Sequence, residues 1–315
     1  IFMDPDDKYP NEDCLEKMYQ TAKEYNAMIC GGNVLTNDHG IIKDRYHAGD
    51  GVISGVKNQI VHVKDYFYLY SHQRYLLETR FVKSNQILYA NYQRYEDQVF
   101  TIKALGVAGW FYELDYPVFE HRINHKELNM DYDMFLDVLK GFRDTINLIC
   151  DYDMQLMFEK NYVTFIKMYM SKISQYVFHG NEEFNQVLED INGLVKHSSW
   201  YDEKYLVTYE SIINHMKKRR MEKEKLERIL ECGRALIIYG AGSNTRKLMS
   251  IYEFRIKNVI GIAISGERGD LFEIKGVKVR NIKDYTPYKA EAIVLITPGI
   301  RLKDEIIEKL IGLHF

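Results

Sequence analysis

The residues Ile1-Phe2-Met3-Asp4-Pro5-Asp6-Asp7 open the chain, and Tyr9-Pro10 follows them closely. Three apolar residues that lead directly into three carboxylates predict a buried strand that ends at the rim of a sheet. In open α/β folds, ligands bind where such strands end. Carboxylate oxygens grouped this closely suit a hard divalent cation such as Mg²⁺ or Mn²⁺, which in turn binds phosphate oxygens. A polar turn built on Asp-Pro is the alternative interpretation.

A second pair of acids lies some ninety residues downstream. Glu96 and Asp97 follow Arg94-Tyr95 and precede a helical pattern of apolar residues, so both are predicted at the start of a helix. The exposed N–H groups and the dipole of a helix start favour an ionised carboxylate, and such a group can accept a proton from a hydroxyl. The alternative is that both acids only cap the helix.

Composition excludes several classes of protein. The chain has 315 residues, 46% of them apolar, and a net charge of −3, which argues against a nucleic-acid binder driven by a basic field. The four cysteines are widely spaced and form no CxxC pair, so they indicate reduced thiols rather than a zinc site or disulfides. No apolar run is long enough to span a bilayer, and we expect a cytosolic protein. Because a lone strand cannot satisfy its backbone, we also expect residues before Ile1 to belong to the fold.

The first 127 residues predict an alternation of helices and strands. A helix capped by Asn11 is expected to turn one face inward, made of Leu15, Met18, Tyr19, Ala22 and Tyr25. Short strands are predicted at Ala27–Cys30, ending in Gly31-Gly32, and at Trp110–Leu114 and Val118–Ile123. Residues 36 to 56 are rich in glycine and predict a mobile loop. His121 and His125 could complete a metal site, although surface or core roles are the alternative.

From residue 128 to 232 no proline interrupts a series of helical patterns, which predicts a helical bundle or connector. The clearest stripe consists of Phe135, Val138, Leu139, Phe142, Ile146 and Ile149. The run Lys217-Lys218-Arg219-Arg220 is interpreted as a solvated helix face, with contact to anionic lipid head groups as an alternative.

Residues 233–315 predict a degenerate Rossmann-like unit. A buried strand at residues 234–239 leads into Gly240-Ala241-Gly242-Ser243-Asn244-Thr245 and a helix, and further strands follow at 258–265 and 292–297. A dinucleotide fingerprint would place a third glycine at Thr245 and an acid at Ser265. Since both are missing, NAD binding is not expected, although the helix start near Ser243 could hold another anion.

Taken together, the Phe2–Asp7 motif and Arg94–Phe100 resemble the inverting family 2 glycosyltransferases of the GT-A fold, over about residues 1 to 126. The resemblance implies that Asp4 and Asp6, with Asp7 nearby, bind the Mg²⁺ or Mn²⁺ that bridges the diphosphate of a nucleotide sugar such as a UDP-sugar. It assigns the general base to Asp97, supported by Glu96. His125 lies where some relatives carry a third metal ligand. The regions 128–232 and 233–315 resemble the C-terminal extensions of some bacterial surface-polysaccharide transferases.

The expected fold is therefore α/β, with part of a GT-A domain at 1–127, a helical region at 128–232 and a Rossmann-like domain at 233–315. The expected function is metal-dependent transfer of a sugar to a glycan or lipid-linked hydroxyl acceptor in the cytosol. Contact with the inner face of the cell membrane and self-association are left open. Two other functions are considered: a non-catalytic scaffold for glycan assembly, and a nucleotide-dependent epimerase or oxidoreductase that uses the Gly240 loop.

Overall fold

A computed structural model describes residues 1–5, 7–38, 40–44, 58–67, 72–123, 130–178, 180–252, 258–266, 273–298 and 300–315. The protein has α/β architecture and divides into two compact units, residues 1–216 (unit 1) and 217–315 (unit 2). Within the described residues, no helix is both long and apolar enough to cross a bilayer.

The sheet of unit 1 contains five strands among the described residues. They are β1 (Ile29–Asp38), β2 (Ile41–Asp44), β3 (Gln59–His62), β4 (Tyr75–Leu77) and β5 (Trp110–Ile123). The order is β2-β1-β5-β3, and β4 also pairs with β1. Strands β1 and β5 are parallel and the other pairs just named are antiparallel, so the sheet is mixed. This sheet places β4 and its preceding turn beside the central strands.

Two glycines explain why β1 is longer than the sequence predicted. The predicted strand at Ala27–Cys30 instead begins at Ile29 and continues through Gly31-Gly32 to Asp38. A Cβ atom on Gly32 would lie 2.5 Å from Val118 Cγ1, and one on Gly31 would lie 2.9 Å from Tyr75 Cε1. The glycines therefore make room for the protein's own neighbouring strands, and the strand does not end there.

The two strands predicted at 110–114 and 118–123 are one strand, β5, which runs through Pro117. Pro117 pairs with Asn33, and the β1–β5 register shifts on both sides of Asn33. A bulge of this kind tolerates a residue that has no N–H to donate. The loop predicted at 36–56 likewise begins with a β1–β2 hairpin, and its residues 39 and 45–56 lie outside the described residues.

The chain start differs from the prediction. Residues 1–3 form no strand, and Ile1 and Phe2 are 37% and 40% exposed. Phe2 instead packs by its ring against other aromatic side chains, as described below. The helix predicted after Asn11 is α1 (Cys14–Glu24), whose N-cap is Asp13 and not Asn11. Its buried residues are Cys14 and Met18, which face β1 and β5, while Leu15, Tyr19 and Tyr25, predicted on the inward face, are exposed.

The remaining helices of unit 1 agree closely with the sequence patterns. They are α2 (Thr79–Ser84), α3 (Glu96–Ala108), α4 (Tyr132–Asp151), α5 (Gln155–Val177) and α6 (Glu182–His197), and α7 (Tyr209–Glu231) contains the boundary between the units. All six residues of the predicted α4 stripe are at most 2% exposed. The rings of Phe142 and Phe165 stack at 3.6 Å between α4 and α5.

The helical region is not separate from the sheet. One hydrophobic cluster joins Ile29 of β1 and Phe111 of β5 to α3 and to the buried faces of α4, α5 and α6. The boundary expected between residues 127 and 128 therefore lies inside a continuous core, and unit 1 extends to residue 216. The cause is that α4 packs its apolar stripe against α3, which is buried on several sides, and α5 packs against α4.

Unit 2 contains β6 (Leu236–Tyr239), α8 (Ser243–Ile251), β7 (Val259–Ile264), β8 (Glu273–Ile274), β9 (Val277–Asn281), β10 (Ile293–Ile296) and α9 (Ile300–Gly312). The sheet order is β10-β6-β7-β9-β8. Strands β10, β6, β7 and β9 are parallel, so the first strand of the unit lies between the second and the last. Parallel strands in this order occur in doubly wound α/β sheets.

Candidate functional site

The predicted acids Asp4, Glu96 and Asp97 line one pocket of unit 1, which we call the acidic pocket. Its volume is about 310 Å³. Such a volume lies at the lower end of the range of roughly 300–1,000 Å³ that is usual for small-molecule sites. The pocket brings together two acidic segments that are some ninety residues apart in the sequence.

The backbone before α3 fixes the direction of Glu96 and Asp97. Tyr95 is the N-cap of α3 and has a left-handed conformation, with φ at 73°. Gly141 of α4 lies against it, and a Cβ atom on Gly141 would be 2.8 Å from Tyr95 Cβ and 3.2 Å from the Tyr95 carbonyl oxygen. The absence of a side chain at Gly141 therefore lets α4 support the turn that carries both acids.

A short 3-10 turn, His72–Arg74, connects the two acidic segments. Gln73 Nε2 donates a hydrogen bond of 2.7 Å to Asp4 Oδ2. His72 Nδ1 lies 3.4 Å from Asp97 Oδ2, and the His72 side chain is only 11% exposed. One turn of backbone thus contacts both acids, through two neighbouring side chains.

Arg74 anchors this turn in the interior. Its side chain is fully buried and forms an ion pair with Glu113 of β5, which is itself 1% exposed. Arg74 Nη1 also donates to the Tyr66 hydroxyl at 3.1 Å, and the Tyr66 and Tyr75 hydroxyls lie 2.8 Å apart. A buried pair with additional hydrogen bonds holds its backbone in one place, so it fixes the position of His72 and Gln73.

Burial and the neighbouring carboxylates set the electrostatics of the pocket. Burial raises the pKa of Glu96, and the charge of Asp97 raises it further, while Arg94 and His72 oppose the shift. Burial is also the main cause of a raised pKa at Tyr89, to which the charges of Asp97, Glu96 and Asp4 add. The Tyr89 hydroxyl therefore interacts electrostatically with all three acids and stays protonated at neutral pH.

Aromatic rings pack beside His72, one of the residues that line the acidic pocket. The Phe2 ring contacts Tyr89 at 5.1 Å and Phe100 at 5.4 Å, in edge-to-face geometry. Tyr89 and Phe100 stack at 4.4 Å, and the His72 ring lies 6.0 Å from Phe2. These contacts exclude water from one side of the His72 ring and hold the chain start, including Asp4, next to α3.

The opposite wall comes from the helical region. Val138 of α4 and Met168 and Tyr169 of α5 line the acidic pocket, together with Met130. Burial raises the pKa of Tyr169, while Arg94 opposes the shift. An aromatic ring, two thioethers and a guanidinium around three acids give the pocket both apolar and charged surfaces, as is typical of sites for polar organic ligands.

The other predicted site residues lie elsewhere or outside the described residues. Asp7 Oδ1 accepts a hydrogen bond of 2.9 Å from the backbone N–H of Arg122, and Asp7 lines a different surface pocket, beside Pro10 and Leu15. Its contact with β5 ties the chain start to the sheet. Asp6 and His125 are not among the described residues. His121 lies on β5 opposite Thr36, and its ring stacks on Phe119.

The residues around Asp4 suit a small hard cation in type, although the described part of the chain contains no group of three His, Cys, Asp or Glu residues placed to hold a metal. Gln73 occupies Oδ2 of Asp4, and no hydrogen bond is seen to Oδ1 among the described residues. Mg²⁺ and Mn²⁺ are commonly held by one or two carboxylates together with substrate phosphates. One carboxylate oxygen at the pocket wall is compatible with that mode of binding.

Sequence reasoning missed His72, Gln73, Gln98 and Tyr169. Gln98 directly follows Asp97, is 8% exposed, and its Oε1 has no hydrogen-bond partner within the described ranges. A buried amide oxygen without a partner in a pocket wall is unusual and is placed to accept a hydrogen bond from a ligand or water. Arg94 and Gln98 are close to Glu96 and Asp97 in the sequence, so this proximity could have identified them as site residues. His72 and Tyr169 are distant in the sequence, and no local pattern marks them.

The loop of unit 2 that resembles a dinucleotide fingerprint is occupied by the protein's own side chains. Thr245 is fully buried, and its hydroxyl donates to the Gly240 carbonyl at 2.6 Å and lies 2.7 Å from the Thr297 hydroxyl. Gly240 has φ at 108°, and a Cβ atom there would lie 2.7 Å from Pro298. The tight packing at the third-glycine position is thus achieved by a threonine that bonds to the strand ends.

No protein-family model and no curated protein matches this chain.

Proposed function

We propose that unit 1 transfers a sugar from a nucleotide-diphosphate donor to a hydroxyl acceptor with inversion at the anomeric carbon, as the resemblance to family 2 glycosyltransferases implies. The observation that carries the proposal is that Asp4, Glu96 and Asp97 line one pocket. The two acidic motifs of the resemblance require a shared cleft, in which one acid is near the departing diphosphate and the other near the attacking hydroxyl.

Asp97 is the proposed general base. It lies in the first turn of α3, and its Oδ1 accepts a hydrogen bond of 3.0 Å from the Gln98 N–H. His72 is close to Oδ2 and restricts its orientation. Asp97 removes the proton of the acceptor hydroxyl as it attacks the sugar, whose transition state resembles an oxocarbenium ion.

The donor diphosphate is proposed to lie near Asp4 and Arg94. Arg94 lines the pocket and supplies the planar cation that suits phosphate oxygens. A bound Mg²⁺ or Mn²⁺, held by Asp4 and, as the resemblance implies, by Asp6 and His125, would neutralise the charge of the departing diphosphate. Gln73 fixes the direction of the Asp4 carboxylate through its hydrogen bond. The acceptor is a glycan or lipid-linked hydroxyl of a bacterial surface polysaccharide.

The test is release of nucleoside diphosphate from a panel of UDP-, GDP- and dTDP-sugars in the presence of Mn²⁺, with water as the acceptor. The wild-type protein is expected to hydrolyse at least one donor. Asp97→Asn is expected to lower the rate by about 10²- to 10⁴-fold, which is the usual contribution of a general base. Asp151→Asn is the matched control, because Asp151 is an exposed acid at the end of α4 and does not line the pocket.

The proposal fails if no donor of the panel is hydrolysed, or if Asp97→Asn retains the rate of the Asp151→Asn control. Absence of hydrolysis together with retained binding of glycan would instead favour a non-catalytic scaffold. A nicotinamide-dependent activity would favour an oxidoreductase, against which the buried Thr245 of unit 2 already argues.

A further inference from the structure

The first part of α7 in unit 2 carries a concentrated positive charge. Residues 217–228 contain seven cations and three acids, a net charge of +4, in a chain whose overall net charge is −3. Every residue from 217 to 223 is exposed. Arg220 Nε donates to Glu224 Oε1 at 2.9 Å, four residues later, so one of the acids is already paired on the helix.

Helix geometry places four of these cations on one face of α7. Lys217, Met221 and Lys225 are spaced four residues apart and lie on one face, which Lys218 and Arg228 extend. We call these five residues the basic face. All five are exposed, and Met221 is 68% exposed at the centre of the face.

The basic face points away from the packed side of α7. Leu230 is 2% exposed and lies nine residues after Met221, which is about two and a half helical turns and therefore the opposite side. Leu226, four residues before Leu230, is also partly buried. This part of α7 therefore has an apolar, partly buried side and an exposed cationic side with a methionine at its centre.

We propose that the basic face is a docking surface for anionic phospholipid head groups, with the Met221 side chain inserted among them. Clusters of lysine and arginine on an exposed helix attract anionic lipid, and each cation strengthens binding about fivefold near such a surface. An exposed thioether gains nothing from the phosphates of a nucleic acid, whereas it is stabilised at the boundary with acyl chains. The inference rests on charge complementarity and does not depend on the proposed transferase activity.

The test is co-sedimentation of the full chain with vesicles of phosphatidylcholine alone or with about 30% phosphatidylglycerol, at about 0.1 M salt. We expect binding only to the anionic vesicles, and release as the salt concentration rises to about 0.5 M. Substitution of Lys217, Lys218, Lys225 and Arg228 by Gln is expected to lower the partition coefficient at least about 100-fold. Met221→Ser is expected to lower it by about fivefold, because an inserted side chain is lost.

The matched control removes four charges from other exposed helix positions of unit 1, by Gln substitution of Lys83, Lys160, Lys167 and Lys196. Gln preserves helix propensity, and circular dichroism verifies that both variants are folded. Equal loss of binding in both variants, or equal binding to neutral vesicles, overturns the proposal. Tight binding of single-stranded RNA without binding to anionic vesicles overturns it as well, since the face would then recognise nucleic acid.

Discussion

Glu113→Gln tests how much the buried ion pair between Arg74 and Glu113 contributes to the stability of unit 1. The substitution keeps the shape of the side chain and its ability to accept a hydrogen bond, but it removes the negative charge. The buried Arg74 then loses the charge of Glu113, and both side chains are buried, at 0% and 1% exposure. The prediction is a large loss of stability from a change of almost no volume.

The expected magnitude follows from this burial. Removing one partner of a fully buried pair typically costs about 3–5 kcal/mol. For a unit of this size each kcal/mol lowers the melting temperature by about 2–4 °C, so the expected decrease is about 6–20 °C. The double variant Arg74→Met with Glu113→Leu should recover most of the loss, to within about 2 kcal/mol of the wild type, because neither side chain carries a charge. The Tyr66 and Tyr75 hydroxyls remain paired with each other in that variant.

The assay is urea unfolding followed by tryptophan fluorescence. The chain has two tryptophans, Trp110 and Trp200, and both lie in unit 1, so the signal reports this unit alone. Asp153→Asn is the control for an ion pair with the same chemistry at the surface. Asp153 pairs with Lys64 at 2.8 Å, but both side chains are more than half exposed, so we expect a change of less than about 1 kcal/mol.

Two results would refute this reasoning. One is a loss below about 1 kcal/mol for Glu113→Gln, which would mean that water or another charge compensates Arg74. The other is a double variant as unstable as the sum of the two single variants, which would mean that packing and not charge determines the cost.

Two further predictions concern the start of α3. Gly141→Ala should destabilise unit 1 by about 1–3 kcal/mol, because the new methyl group clashes with Tyr95. The control Gly193→Ala in α6, where a Cβ atom would meet nothing within 4 Å, should stabilise the unit by about 0.5–1 kcal/mol. Urea unfolding measures both changes, and equal effects on stability would contradict the prediction. Glu96→Gln should raise the melting temperature relative to wild type more at pH 7 than at about pH 4, since burial raises the pKa of Glu96 and its stabilising contribution is lost as pH rises through that pKa. A difference between the two proteins that does not change with pH would show that Glu96 is not penalised in the folded state.

Local signals in the sequence were sufficient for much of the fold. The stripe beginning at Phe135 predicted the buried face of α4, and the apolar pattern after Asp97 predicted α3, because each depends only on helical periodicity. The strand expected at the chain start was wrong, since three apolar residues do not reveal whether a partner strand is available. In the structure Phe2 packs against aromatic rings instead.

The candidate site could be predicted only in part. Glu96 and Asp97 are adjacent in sequence and were found through their position before a helix. His72 and Gln73 were not, because their contacts with Asp97 and Asp4 arise from the pairing of β4 with β1 and from the burial of Arg74. Such long-range placement leaves no periodic trace in a single sequence.

The support that Gly141 gives to Tyr95 has a practical consequence for anyone who wishes to shorten this protein. A fragment ending at residue 127 would retain every acid of the pocket but lose α4 and α5, and with them the surface on which the turn before α3 rests. Such a fragment would bare the apolar side of α3 and aggregate. A shortened protein should therefore keep residues 1–216 together, since they form one compact unit.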